Sequence, residues 1–116
     1  MITNSSLTIY HKGFDNETKL ETWTRYNYEN VWYFNTEGSN MNKGYDKVNN
    51  VEVRIPYEKN SNLDINNFAI GDIIVKGELN INIETQQDLS DYEIHNIITL
   101  NNNTFGKRKH IHIGGN

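Results

Sequence analysis

Ile73, Ile74 and Val75 stand in a row, with Gly71-Asp72 before them and Gly77 after. Few folds accept such a segment. Consecutive β-branched side chains favour extended backbone. An apolar run this short, fenced by turn residues, fits a strand covered on both faces rather than a helix. Gly71 takes positive φ without steric cost, and Asp72 can hydrogen-bond nearby backbone, so the pair marks a turn into the strand. With Phe68 and Ile70 leading in, residues 68–79 read as a wall strand of a small β-barrel. None of these side chains calls for a chemical role. Asp72, like Asp91, sits in a turn context that accounts for it structurally.

The rest of the chain supplies strands of similar length. Residues 7–10 have strand character, and residues 12–19 are turn-rich. Residues 20–34 are the most aromatic part. Alternation there puts Thr22, Thr24, Tyr26 and Tyr28 on one face and Trp23, Arg25 and Asn27 on the other. Glu29-Asn30 predicts a break or bulge before residues 31–34, making one long bent strand or a hairpin. Residues 51–55 alternate cleanly, with Val51, Val53 and Ile55 inward, and Pro56 ends the strand because it cannot donate to a ladder. Leu79, Ile81 and Ile83 alternate with polar residues and predict a further half-buried strand. Residues 85–91 read as a turn or a single helical turn, residues 92–100 as strand and residues 101–103 as a turn. A final strand falls within residues 107–113. The expectation is an all-β chain: a small antiparallel β-barrel of six to seven short strands with one long polar loop, residues 35–50.

Composition agrees. The 116 residues include twenty Asn and fourteen Ile but one Ala, and scarce helix formers favour β-structure. The length fits a single domain over residues 1–116. There is no cysteine, which removes disulfides and thiolate metal sites. Apolar runs fall far short of the ~20 residues that span a bilayer, and residues 1–15 lack the pattern of a signal peptide. The expectation is a soluble protein made in the cytoplasm, with no membrane partner. A net charge of −4 disfavours nucleic-acid binding as the main task.

The candidate functional residues are few. His110 and His112, two apart on a strand, make half of a zinc site, but with no cysteine and no neighbouring carboxylate an exposed pair on an edge strand is the better reading. Lys107, Arg108, Lys109 and His110 form the basic cluster. They suit phosphate contact or a charged edge strand that discourages aggregation. Trp23, Tyr26, Tyr28, Trp32 and Tyr33 offer a stacking surface. Trp32 or Phe34 is expected in the core. No nucleophile motif and no phosphate-gripping glycine loop occurs, so no enzyme and no cofactor is expected. The long loop is its own candidate, because structureless loops beyond a dozen residues are often functional.

Residues 8–10 (TIY), 31–34 (VWYF), 53–57 (VRIPY), 71–77 (GDIIVKG), 98–106 (ITLNNNTFG) and 112–115 (HIGG) occur in that order. In this layout the chain resembles the small minor capsid, or head–tail joining, proteins of tailed phages, closest to the head-closure (stopper) group. The resemblance implies a barrel that forms a homo-oligomeric ring, a hexamer, in the virion neck. The connector (adaptor) and portal would lie on one side and the tail terminator or tail tube on the other, with genomic double-stranded DNA passing through. It further implies that the long loop lines or plugs the channel, through Gly38, Ser39, Asn40, Met41, Asn42, Lys43, Gly44 and Tyr45. Lys107, Arg108, Lys109, His110 and His112 would meet partners. The alternatives are a tail-terminator ring and a nucleic-acid- or carbohydrate-binding barrel module.

Overall fold

The computed structural model describes residues 3–35, 51–106 and 108–116. Six strands, β1 (Ser5–Asp15), β2 (Leu20–Asn35), β3 (Val51–Pro56), β4 (Ile73–Lys76), β5 (His95–Asn103) and β6 (His110–Gly115), close into a barrel in the order β1-β2-β3-β6-β5-β4. Every pairing is antiparallel. Among the described residues helical structure is limited to three 3-10 turns, Tyr57–Lys59, Ile65–Asn67 and Gln86–Leu89. No helix among the described residues is long and apolar enough to cross a membrane.

Two-residue alternation builds the interior. Leu7 and Ile9 of β1, Tyr28, Val31 and Tyr33 of β2, Val51, Val53 and Ile55 of β3, and Ile111 and Ile113 of β6 share one buried cluster. The expected irregularity in β2 lies at Glu29-Asn30. Register jumps from Leu7↔Tyr28 to Ser5↔Val31, and Asn30 takes φ 55°, which marks a bulge in one continuous strand. Asn60 plugs that bulge from the following link: its amide donates to the carbonyls of Glu29 and Pro56 and its side-chain oxygen accepts from Glu29 N. Leu63 and Phe68 complete the interior, with Phe68 stacked on Tyr28 at 5.5 Å.

β4 is covered on both faces, as its β-branched run predicts. Ile74 joins the interior cluster. Ile73 and Val75 point the other way into a second cluster with Tyr10, Ile83 and Leu89. That second cluster forms because the connection between β4 and β5 folds back over the outside of β1, β2 and β4 as a strap. Polar side chains on the outer wall hold its backbone. Tyr10 OH donates to Ile81 O at 2.7 Å, Thr8 Oγ1 accepts from Leu79 N, and Asn27 Nδ2 donates to Leu79 O.

Three expectations need correction. Residues 79–84 are not a strand. β1 and β5 already occupy both edges of β4, so this segment finds no free edge and lies across the sheet face instead. Asn101, Asn102 and Asn103 are not a turn but the end of β5, paired with His112, Ile111 and His110. The ladder uses backbone groups, so pairing overrides the poor strand propensity of Asn. Trp32 and Phe34 are not core. The bulge sets Val31 and Tyr33 inward and turns Trp32 and Phe34 outward, leaving Phe34 46% exposed.

The turn ahead of β4 carries a side chain with three polar partners. Gly71 adopts φ 100°, the left-handed region its lack of Cβ permits, and Asp72 behind it is fully buried. Oδ1 of Asp72 accepts from Lys12 N at 3.0 Å, while Oδ2 accepts from Ala69 N at 2.8 Å and faces His11 Nδ1 at 2.7 Å. Replacing Asp72 with Ala would strand two backbone N–H donors, and a loss of about 3 kcal/mol is expected in urea unfolding. Asp72→Asn, which keeps the shape but turns one N–H against another, should lose about half as much. An unchanged midpoint for Asp72→Ala would exclude a structural role for this carboxylate.

Burial also raises the phenols of Tyr10 and Tyr28 above the ordinary value of 10.0. For Tyr10, Arg25 works in the opposite sense and Tyr92 in the same one. For Tyr28, Tyr26 adds to the rise and the Asn67 side chain opposes it. Below the ordinary value neither group makes stability depend on pH. Above it the unfolded chain loses protons that the folded chain keeps, so stability falls as pH rises. In an alkaline absorbance titration these two tyrosines should ionise only as the barrel opens, in step with loss of the β-sheet circular dichroism signal.

Candidate functional site

The residues singled out for the channel, Gly38 to Tyr45, lie outside the described residues, as does Lys107. Of the aromatic candidates, Tyr28 and Tyr33 are in the core with Tyr26 packed against it, and Trp23 packs on the second cluster, which leaves Trp32 on the wall that carries His110 and His112. β6 alternates, so Ile111 and Ile113 enter the core while His110 and His112 share the outer wall. Cross-strand register aligns Trp32 (β2), Arg54 (β3), His112 (β6) and Asn101 (β5) in one row. Phe34, Glu52 and Gly114 form the row on one side, and Pro56, His110 and Asn103 the row on the other. Arg108 and Lys109 are exposed where the chain enters β6. Trp32 and Phe34, at the end of the aromatic segment, therefore share a wall with His110 and His112 of the last strand.

This wall is ordered by its own contacts. Trp32 and Phe34, two apart on β2, lie with ring centroids 5.7 Å apart and planes 17° from parallel. The Arg54 guanidinium sits 4.8 Å from the Trp32 ring centroid, an attraction between cation and ring quadrupole. Glu52 Oε1 lies 3.2 Å from His112 Nε2, within ion-pair reach though off the line of a hydrogen bond. His110 Nδ1 faces the carbonyl of Arg108 at 2.8 Å and its Nε2 faces Asn103 Nδ2 at 3.1 Å. A ring that donates through Nδ1 and accepts at Nε2 satisfies both contacts. The two histidines do share a face, and Glu52, distant in sequence, is the carboxylate near them. Among the described residues no group of three or more metal-ligating side chains forms.

The opposite outer wall is covered by the strap, and beyond it β1 and β2 continue as an arm. Gly13–Asp15 and Leu20–Thr22 have only each other as ladder partners, with the turn at 16–19 closed by Lys19 N donating to Asp15 O. Phe14 is 58% and Leu20 64% exposed. Register sets Phe14 opposite Glu21 and Leu20 opposite Asp15, so the two apolar side chains occupy alternate faces of the ribbon. Between arm and strap lies an open groove of about 730 Å³ lined by Lys12, Leu20, Glu21, Trp23, Ile83 and Glu84 among others. Lys12 and Glu21 pair across its floor at 3.2 Å.

His11 and Asp72 were not paired by any sequence signal, being 61 residues apart. A carboxylate-held imidazole is half of an acid–base device. Here Asp72 spends both oxygens on backbone donors as well, and the Tyr26 ring lies 6.4 Å from that of His11. The pair works as a clamp between β1 and the turn ahead of β4.

Residues 2–116 match a family described as "Family of unknown function (DUF6751)". No curated protein and no solved structure matches the chain.

The Trp32–Arg54 contact is open to direct measurement. A double-mutant cycle of Trp32→Leu and Arg54→Ala, followed by urea unfolding, should give a coupling of about 0.5–1 kcal/mol. Additive losses would mean that the two side chains stand side by side without interacting.

Proposed function

The chain belongs to the family of unknown function DUF6751, and from the fold and the order of its short motifs we propose that it is a structural protein of the tailed-phage neck, of the head-closure type. In this reading it assembles as a ring, a hexamer, between the portal-bound connector and the tail. It works by positioning and sealing rather than by catalysis, and DNA passes its channel side.

The observation that carries the reading is the β1–β2 arm. The closed part of the barrel offers no free sheet edge, which leaves the arm, whose two strands pair only with each other among the described residues, as the ribbon open to a neighbour. Contacts must come from projections and faces. An arm that exposes an apolar side chain on each face, Phe14 on one and Leu20 on the other, suits insertion between two neighbours, as a ring requires. The long segment between β2 and β3 leaves from the other end of β2. The order of short motifs, in which the chain resembles head-closure proteins, supports the same assignment.

Added to tail-less capsids that carry the connector, the protein is expected to deposit a ring-shaped layer visible by electron microscopy. Phe14→Asp combined with Leu20→Asp should abolish the layer while leaving circular dichroism and unfolding nearly unchanged, since both positions are exposed. Capping of isolated tail tubes instead would make the protein a terminator ring. Failure to associate with either particle rejects the neck assignment.

A further inference from the structure

Beyond the proposed role in assembly, we infer that the outer wall formed by β2, β3, β6 and β5 is a binding site for single-stranded nucleic acid, with Phe34 and Trp32 as the stacking platform and Arg54, Arg108 and Lys109 as the phosphate contacts. The strap covers one outer wall of the barrel, burying Ile73, Val75, Ile83 and Leu89 beneath it. The other wall has no such cover among the described residues, yet it carries aromatic side chains that the core does not use. Both rings belong to consecutive outward positions of one strand and lie nearly parallel. Phe34 remains 46% exposed. Bases stack on such faces whatever their identity.

Charge selects the ligand class. The protein as a whole carries −4, but Arg54 stands in the middle row of this wall and Arg108 and Lys109 are exposed where the chain enters β6, with Glu52 as the carboxylate among the paired positions of the rows, lying against His112. A local cationic face on an acidic chain fits a polyanion better than a neutral sugar. Asn101 and Asn103 add amides at the far side of the rows, able to donate to and accept from base edges. Four neighbouring strands at ~4.8 Å spacing make the row about 14 Å wide. That is room for a short single-strand segment, at the small end of barrel sites near four nucleotides. A duplex hides its base faces and leaves the platform unused.

The test uses the full chain with Trp23→Phe, so that Trp32 alone reports. Titration with a twelve-residue oligothymidylate in 50 mM salt is expected to quench Trp32 fluorescence. Three phosphate contacts predict a slope near −2 in log K against log salt, or binding about 20-fold weaker at 200 mM salt. Phe34→Ala and Arg54→Ala should each weaken binding at least five-fold, with the circular dichroism spectrum retained. Phe14→Asp, on the arm, should leave it unchanged. No quenching up to 100 µM oligonucleotide overturns the inference. So does equal affinity for a duplex of the same length or for a neutral glucan oligosaccharide. None of these readouts depends on capsid assembly, so the neck assignment and this site fail or stand separately.

Discussion

Closure of the barrel rests on Asp72. The seam between β4 and β5 has two paired rungs, Ile73↔Asn96 and Ile74↔His95, against four between β4 and β1. The turn makes up the difference. Gly71 N donates to Ile97 O and Ile97 N donates to Asp72 O, while the Asp72 side chain reaches across to Lys12 N and His11 on β1. One residue thus ties both neighbours of the shortest strand. Gly115 contributes from the other side. A Cβ there would lie 2.7 Å from Ile74 Cδ1 and 3.3 Å from Asn96 O, so a larger residue would have to displace the end of Ile74 and press on the β5 backbone where β6 passes beneath the seam.

With the edges consumed, the two outer walls become the surfaces on which the rest of the chain can act, and they are treated differently. On the wall of β1, β2 and β4 the outward polar residues of β1 and β2 include Thr8, Tyr10, Arg25 and Asn27. Each spends its polar group on the strap, Arg25 through Asn82 Oδ1. The strap brings Leu79, Ile83 and Leu89 with it and turns that wall into a second core. On β2, β3 and β6 the outward residues bond mainly to one another, through Trp32, Arg54, Glu52 and His112. The same strand β2 serves both walls, and the bulge at Glu29-Asn30 is where it passes from one to the other.

Much of this was legible in the sequence, and what was not has a common cause. Period-two alternation is local, so β3, the two faces of β2 and the double burial of β4 could be read directly, and the Glu29-Asn30 bulge announced itself by breaking the pattern. Residues 79–84 alternate just as well, but alternation reports that one face is buried, not what buries it. A strap lying on a sheet and a strand within it look alike in sequence. Asn101 to Asn103 misled in the opposite direction, because local propensity was overruled by a partner strand. Trp32 and Phe34 were misplaced because hydrophobicity alone cannot decide which half of an aromatic run faces inward once a bulge shifts the phase. The Asp72–His11 clamp and the Glu52–His112 contact join residues about 60 apart, and no spacing rule connects them.

That phase shift bears on function. Had β2 run without a bulge, Trp32 would have continued the inward face of Tyr26 and Tyr28, and Val31 and Tyr33 the outward one. The inserted residue instead delivers the smaller Val31 and the long Tyr33 to the core and places a Trp–Phe pair beside Arg54. A core of fourteen buried residues has no shortage of apolar alternatives for these positions, so burial does not require aromatic residues on the outside. Singly exposed apolar side chains need no explanation. A stacked pair held in place by a guanidinium is different, because its geometry is maintained by contacts on the surface itself. The irregularity that most disturbs the barrel is therefore also what builds its one bare aromatic wall among the described residues, and Asn60 holds that irregularity in place with three hydrogen bonds.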